Sequence, residues 1–240
     1  MANVGKRFSR GLVFGASGGI GKALCEELAQ RGTRVVAASR GGSVEGYENL
    51  SFDLDDEASI ASAADALRHD PPDCIIVATG VLTLPNGTGP ERSFKQIDAD
   101  AMARVLYLNT VGPALIAKHV LPLLPRDRPS AFAALSARVG SIGDNRLGGW
   151  HSYRASKAAL NMLIRNWAVE LGRTHKRAVV CGLHPGTVDT ALSEPFQKNV
   201  PDKQLFTPER SAAALIDVLS QLDPQDSGGV YDWKGERIPA

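Results

Sequence analysis

Surplus charge is almost absent from this 240-residue chain, in which 27 Lys and Arg stand against 26 Asp and Glu. With no net field to draw nucleic acid, an anionic membrane or a polyanionic substrate, the expected partner is a small, neutral or weakly charged molecule. Cysteine is scarce as well. Cys25, Cys74 and Cys181 are odd in number, far apart and set in apolar stretches, which excludes a disulfide framework and predicts buried, reduced thiols in a reducing compartment. No stretch approaches the ~20 apolar residues of a membrane span, and Met1 to Arg10 has no apolar core of the kind a secretory signal carries. The expectation is a cytoplasmic protein that crosses no membrane. His151 and His184 have no second ligand at metal-site spacing, so no metal is expected.

What is present is an alternation. Short runs rich in Val and Ile alternate with longer segments of helical period, the pattern of parallel strands joined by crossover helices. Strands are expected at Leu12 to Gly15, Arg34 to Ser39, Asn49 to Phe52, Cys74 to Thr79, Ser130 to Ser136, Arg177 to Leu183 and near Val230. Helices are expected at Ile20 to Gln30, Glu57 to Leu67, Asp98 towards Leu124, Ser152 to Leu171 and Pro208 to Leu222. Pro113 should kink or split the third of these, because proline removes a backbone donor and crowds the preceding turn. Pro85, Asn86, Gly87, Gly89 and Pro90 mark residues 81 to 96 as loop. The fold class predicted is α/β, a doubly wound parallel sheet of about seven strands with helices on both faces, and the length suits one domain over 1–240.

Directly after the first strand the chain reads Gly15-Ala-Ser17-Gly-Gly19-Ile20-Gly21 and enters a helix. Glycine allows the tight turn and lets backbone N–H groups approach a pyrophosphate, which the helix N-terminus stabilises. A dinucleotide site is therefore expected at Gly15, Ser17, Gly19, Ile20 and Gly21. NAD-preferring sites place an acid ~20 residues further on, at the end of the second strand; here that place holds Ser39 and Arg40. A guanidinium suits a 2′-phosphate as a forked donor, and no carboxylate stands there to repel it, so NADP(H) is the expected cofactor. The alternative for Arg40 is an ordinary solvated charge.

Tyr153 and Lys157 fall at i and i+4 on a predicted helix and project from one face. A phenol of pKa ~10 exchanges a proton poorly at neutral pH, and a neighbouring ammonium favours its phenolate. With the glycine turn, the pair gives the chain a clear resemblance to the short-chain dehydrogenase/reductase family, whose markers recur in order from Gly11 to about Trp233. Asp53-Leu54 resembles the adenine-contacting pair, Ala78-Thr79-Gly80 the segment after the fourth strand, and Asn109 the helix asparagine. Pro185-Gly186-Thr187-Val188-Asp189-Thr190 resembles the nicotinamide-side segment. The run from Ser136 to Asn161 is most similar to the C-factor (C-signal) and sniffer-like carbonyl reductases.

The resemblance implies a Rossmann fold and an NADP(H)-dependent interconversion of carbonyl and alcohol, in which Tyr153 exchanges the proton. It further implies that Lys157 lowers the tyrosine pKa and binds the nicotinamide ribose, while Asn109 holds a water leading to solvent. Pro185, Gly186, Val188 and Thr190 would join Thr79 and Gly80 around the cofactor. Phe14, Ala78 and Thr79 depart from the family's usual residues, and so does one member of its catalytic tetrad: the serine that polarises the carbonyl is replaced by Ala137, which has no hydroxyl. Ser141 is the replacement expected and Ser136 the reserve, each with the alternative of a plain turn or strand-end residue. Trp150 lines the pocket or packs beneath Gly148-Gly149. His151 and His184 fall near the expected site, where each either lines a pocket or moves a proton, or is a packing or surface residue, the reading preferred because the implied mechanism needs no histidine. Leu192, Phe196 and Leu205, within a substrate loop at 187–207, form a mobile lid over substrate or a satellite cluster under a surface loop. A second functional class, a signalling or interaction protein that keeps the nucleotide site, stands beside the enzyme. A homodimer or homotetramer is expected through the helices at 98–124 and 152–171.

Overall fold

A computed structural model describes residues 8–41, 43–199, 201 and 204–239. The expected domain and loop therefore extend, at 1–7, 42, 200, 202, 203 and 240, over positions outside the described residues. Seven strands form one parallel sheet in the order β3-β2-β1-β4-β5-β6-β9. They are β1 (Arg10–Phe14), β2 (Arg34–Ser39), β3 (Glu48–Ser51), β4 (Cys74–Val77), β5 (Ser130–Leu135), β6 (Ala178–His184) and β9 (Val230–Asp232). This is a single α/β domain of Rossmann type.

Alternation along each strand divides the core into two layers. Val13, Ile76, Ala133 and Cys181 face the layer under α1 (Gly19–Gln30) and α6 (Pro208–Gln221), with Leu24, Leu28, Leu215 and Leu219. Leu12, Phe14, Ile75, Val77, Phe132 and Val180 face α2 (Glu57–Asp65), α4 (Gly112–Val120) and α5 (His151–Leu171), with Ile60, Ile116, Leu160 and Ile164. Because both faces are covered, these strands read as continuous apolar runs. The three cysteines are buried, and burial pushes the Cys25 thiol up to about 12. Among the described residues no helix is long and apolar enough to cross a membrane.

The strand order reverses between β1 and β4, which both pair in parallel with their neighbours. A crevice at the carboxyl ends of the strands follows from that reversal. The long helix expected at 98–124 is split. It becomes α3 (Ala99–Leu106), a π-helical turn at Tyr107–Val111, and α4, in whose first turn Pro113 stands. Proline is tolerated there because the first-turn N–H groups lack helical partners in any case. The stretch expected as a loop at 187–207 is partly ordered into strands: β7 (Thr187–Val188) pairs with β8 (Leu205–Phe206), and Glu194–Asn199 forms a 3₁₀ turn.

Candidate active site

The glycine turn is held at closest approach. Gly15 has φ +82, and the amide of Gly18 donates to its carbonyl at 3.0 Å. A Cβ on Gly21 would lie 2.1 Å from that same carbonyl oxygen, and one on Gly19 would lie 2.7 Å from Cγ2 of Thr190. The turn accepts no side chain at these two points, which leaves the start of α1 open to an approaching anion. No side chain caps α1, and its first turn carries no acid, so its free N–H groups and positive dipole end face the crevice.

A cavity of about 270 Å³ begins at this turn and is lined by Gly19, Ile20, Gly21, Thr79, Gly80, Ser136, Tyr153, Lys157, Pro185 and Thr190, among others. The Thr79 hydroxyl is buried without a hydrogen-bond partner among the described residues. A closed glycine cradle and an unsatisfied hydroxyl in one cleft fit a dinucleotide with its polar carboxamide end. Ser17, Ser39, Arg40, Asp53 and Leu54 lie outside this cavity, at or just beyond the ends of β1, β2 and β3 along the same edge of the sheet. Arg40 is exposed and pairs with no carboxylate within salt-bridge distance among the described residues; nearby Asp55 is already gripped by Arg104 at 2.5 Å.

Tyr153 and Lys157 share one face of α5, with the Lys157 Nζ 5.8 Å from the Tyr153 ring centroid. Nζ donates to the Leu135 carbonyl at 2.9 Å, which fixes the ammonium at the end of β5. Burial lowers the Lys157 pKa to about 8 and raises that of Tyr153 to about 12. The second shift is opposite to the lowering implied by the resemblance, because burial disfavours the phenolate. Asn109 sits in the π-helical turn, a form that recurs at functional sites. Its amide pairs with the Val81 backbone at both ends, 2.8 Å and 2.9 Å, and donates to Ser156 Oγ at 3.1 Å. This clamp brings Gly80, at φ +149, against Lys157: a Cβ there would stand 3.5 Å from Nζ.

The sequence profile described as short chain dehydrogenase matches residues 11–201. The chain belongs to the short-chain dehydrogenase family. It is 32% identical over 228 residues to the 1-hydroxy-2-glutathionyl-2-methyl-3-butene dehydrogenase of Rhodococcus sp. (strain AD45), covering 90% of this chain and 93% of that one. It is 34% identical over 143 residues to the C-signal protein of Myxococcus xanthus, covering 60% of this chain and 81% of the other. Among solved structures, an NADPH-bound carbonyl reductase from chicken fatty liver superposes with a TM-score of 0.82 at 27% identity, covering 98% of this chain and 100% of that one.

A second cavity of this short-chain dehydrogenase, about 280 Å³, meets the first at Ile20, Ser136, Tyr153, Pro185, Thr190 and Leu192. Ala137, Val139, Trp150, His184, Gly186, Val188 and Phe196 complete much of its wall. Trp150 thus lines the pocket, its ring edge-on to Tyr153 at 6.1 Å and to Phe196 at 5.2 Å. Leu192 and Phe196 line it too, whereas Leu205 belongs to β8. The structure does not bring Ser141 to either cavity: it is buried, and its hydroxyl accepts the Asp144 amide at 3.0 Å. That is a turn-closing role, suited to a serine that follows a 3₁₀ turn. Ser136 does line both cavities, but its hydroxyl donates to Asn161 Oδ1 at 2.6 Å.

One feature escaped the sequence reading. The Glu91 carboxylate, 8% exposed, receives the Ser152 amide at 3.1 Å and the Ser152 hydroxyl, while the Glu91 carbonyl receives the Trp150 amide. Burial alone would raise its pKa, but those donors hold it below the usual carboxylate value. A loop carboxylate thereby caps the helix that carries Tyr153, and only the three-dimensional arrangement reveals it. His184, open in the sequence between lining a pocket and plain packing, stands in the wall of the second cavity.

Proposed function

We propose that the chain is an NADP(H)-dependent carbonyl reductase of the short-chain dehydrogenase family, with Tyr153 as the proton donor to a small, largely apolar carbonyl compound. The observation that carries this reading is the position of Tyr153 at the junction of the glycine-turn cavity and the apolar second cavity. When bound, NADPH supplies the hydride. Gly15, Ser17, Gly19, Ile20 and Gly21 would hold its pyrophosphate, Asp53 and Leu54 the adenine, and Ser39 with Arg40 the 2′-phosphate. Thr79, Gly80, Pro185, Gly186, Val188 and Thr190 would hold the nicotinamide side, with Lys157 on its ribose.

The chain's own groups divide the remaining work. A phenol with pKa near 12 is protonated at neutral pH, the form a reductase needs in order to protonate a developing alkoxide. Lys157 is anchored by Leu135 and shares the cavity with Tyr153, which suits it to restoring that proton, and Asn109, its side-chain amide spent on Val81 and Ser156, would hold a water between the lysine and solvent through its backbone. Leu82, Val139, Trp150, Leu192 and Phe196 favour an apolar substrate and keep bulk water out. The 187–207 segment serves as the substrate loop. NADPH binding in the solved relative with 27% identity supports the cofactor assignment. Buried reduced thiols suit a cytoplasmic enzyme. Val111, Met162 and Val169 leave apolar surface on the π-helical turn and α5, which suits a homodimer or homotetramer.

The experiment is NADPH oxidation over a panel of aldehydes and ketones, with Tyr153→Phe as control. Turnover abolished in the variant supports the reading; equal turnover in both defeats it. A second reading, a C-signal-like interaction protein that keeps the nucleotide site, is favoured by Ala137 and by the relative of that name. It predicts tight NADPH binding with no turnover of any carbonyl, and partner binding that survives Tyr153→Phe.

A further inference from the structure

A carbonyl oxygen that becomes an alkoxide gains charge faster than one donor can stabilise it, and sites of this kind aim a second preorganised donor at the same atom. Tyr153 is one donor. Ala137 offers none, the Ser136 hydroxyl is engaged by Asn161, and Ser141 lies outside both cavities. Arg138, also in the wall, spends its guanidinium on Asp144 at 3.0 Å and Asp232 at 2.9 Å.

His184 ends β6 and lines the second cavity with Tyr153 and Ala137. Nδ1 of His184 is buried without a hydrogen-bond partner among the described residues, whereas Nε2 of the same half-buried ring is not among such closed-off atoms. A buried Nδ1 with no acceptor is best left without its proton, which puts the N–H of the neutral ring on Nε2. Asp232, opposite His184 in the β6–β9 register, does not relieve it, since its carboxylate takes Arg138 and the amides of Lys234 and Glu236. Burial, then the charge of Arg138, hold the His184 pKa down to about 4. At neutral pH the ring is therefore an uncharged imidazole with one N–H, a form able to polarise a carbonyl without giving up its proton.

We propose that His184 is the second hydrogen-bond donor to the substrate oxygen, taking the place that Ala137 leaves empty. This deepens the carbonyl reductase reading and rests on it. The new O–H bond is made with the Tyr153 proton; His184 keeps its own and strengthens its hydrogen bond as charge develops on the oxygen.

The test uses p-nitrobenzaldehyde and NADPH with four proteins besides wild type: Tyr153→Phe, His184→Phe, His184→Gln, and His184→Phe combined with Ala137→Ser. Circular dichroism and NADPH titration show that each is folded and loads cofactor. Loss of one such donor is worth ~100-fold or more in kcat, so His184→Phe is expected to fall by about that factor with the KM for NADPH unchanged. His184→Gln, which retains an N–H, is expected to keep part of the rate, and Ala137→Ser to recover roughly tenfold in the His184→Phe background, a rescue that a merely structural histidine would not allow. Turnover in His184→Phe within threefold of wild type, with Tyr153→Phe dead, overturns this inference and leaves the reductase reading standing. A slow His184→Phe with no rescue by either His184→Gln or Ala137→Ser overturns it too. If wild type loads NADPH but reduces neither this aldehyde nor any other aldehyde or ketone of the panel, the reductase reading fails and the inference falls with it.

Discussion

Replacing Glu91 with alanine tests whether the start of the catalytic helix is held by the loop that follows β4. The helix begins at Trp150 in the left-handed region, φ 52, with no side-chain cap of its own, so the buried Glu91 carboxylate is what satisfies Ser152. Hydrogen bonds to a charged acceptor are worth about 1.5–3 kcal/mol each. Two are lost in Glu91→Ala, and water entering the space left behind restores part, so the expected cost is about 2–4 kcal/mol. For a domain of this size that lowers Tm by roughly 5–12 °C. Thermal unfolding followed by circular dichroism reads it directly. The folded-state pKa of Glu91 is depressed, so its contribution is full above the unfolded carboxyl value of about 4.3 and is lost as pH falls through the lower folded value. The gap between wild type and variant should accordingly be complete at pH 7 and close towards pH 3. A Tm for Glu91→Ala within about 1 °C of wild type at pH 7 would refute the reasoning.

Three further outcomes follow from the same geometry. Gly21→Ala puts a methyl 2.1 Å from the Gly15 carbonyl oxygen, a backbone clash that cannot relax without opening the turn; titration should show NADPH binding lost even where the protein stays folded. Arg40→Ala removes a charged donor worth about 1.5–3 kcal/mol, so the NADPH Kd should rise roughly 10- to 100-fold while that for NADH moves little; equal effects on both would place Arg40 away from the 2′-phosphate. Lys157 has a folded pKa of about 8 against 10.5 unfolded, so the unfolded chain binds more protons between those values and stability rises with pH across that window, by up to about 1.4 kcal/mol per pH unit. Lys157→Met abolishes that rise, measured by urea unfolding at pH 8 and pH 9.5.

The parallel sheet was legible because burial on both faces leaves unbroken runs such as Cys74 to Val77, and the glycine turn because its constraint is local: the Gly21 contact is with Gly15, six residues away in sequence. Tyr153 and Lys157 were legible because helical spacing alone puts them on one face. What depended on distant parts of the chain was not. Ser141 stands at a plausible distance before Tyr153, yet the 3₁₀ turn at Arg138–Gly140 directs it into its own loop. Glu91 meets Ser152 across 61 residues, and Asp232, opposite His184 in the sheet, is taken by Arg138, 94 residues from it. The rise in the Tyr153 pKa likewise comes from burial by many segments together, which spacing to Lys157 does not report.

The most direct test of the central claim is the rate of NADPH oxidation with p-nitrobenzaldehyde in wild type beside Tyr153→Phe, both saturated with cofactor. The account predicts turnover in wild type and a loss of at least about 100-fold in the variant, with NADPH affinity unchanged. Undiminished turnover in Tyr153→Phe would contradict it.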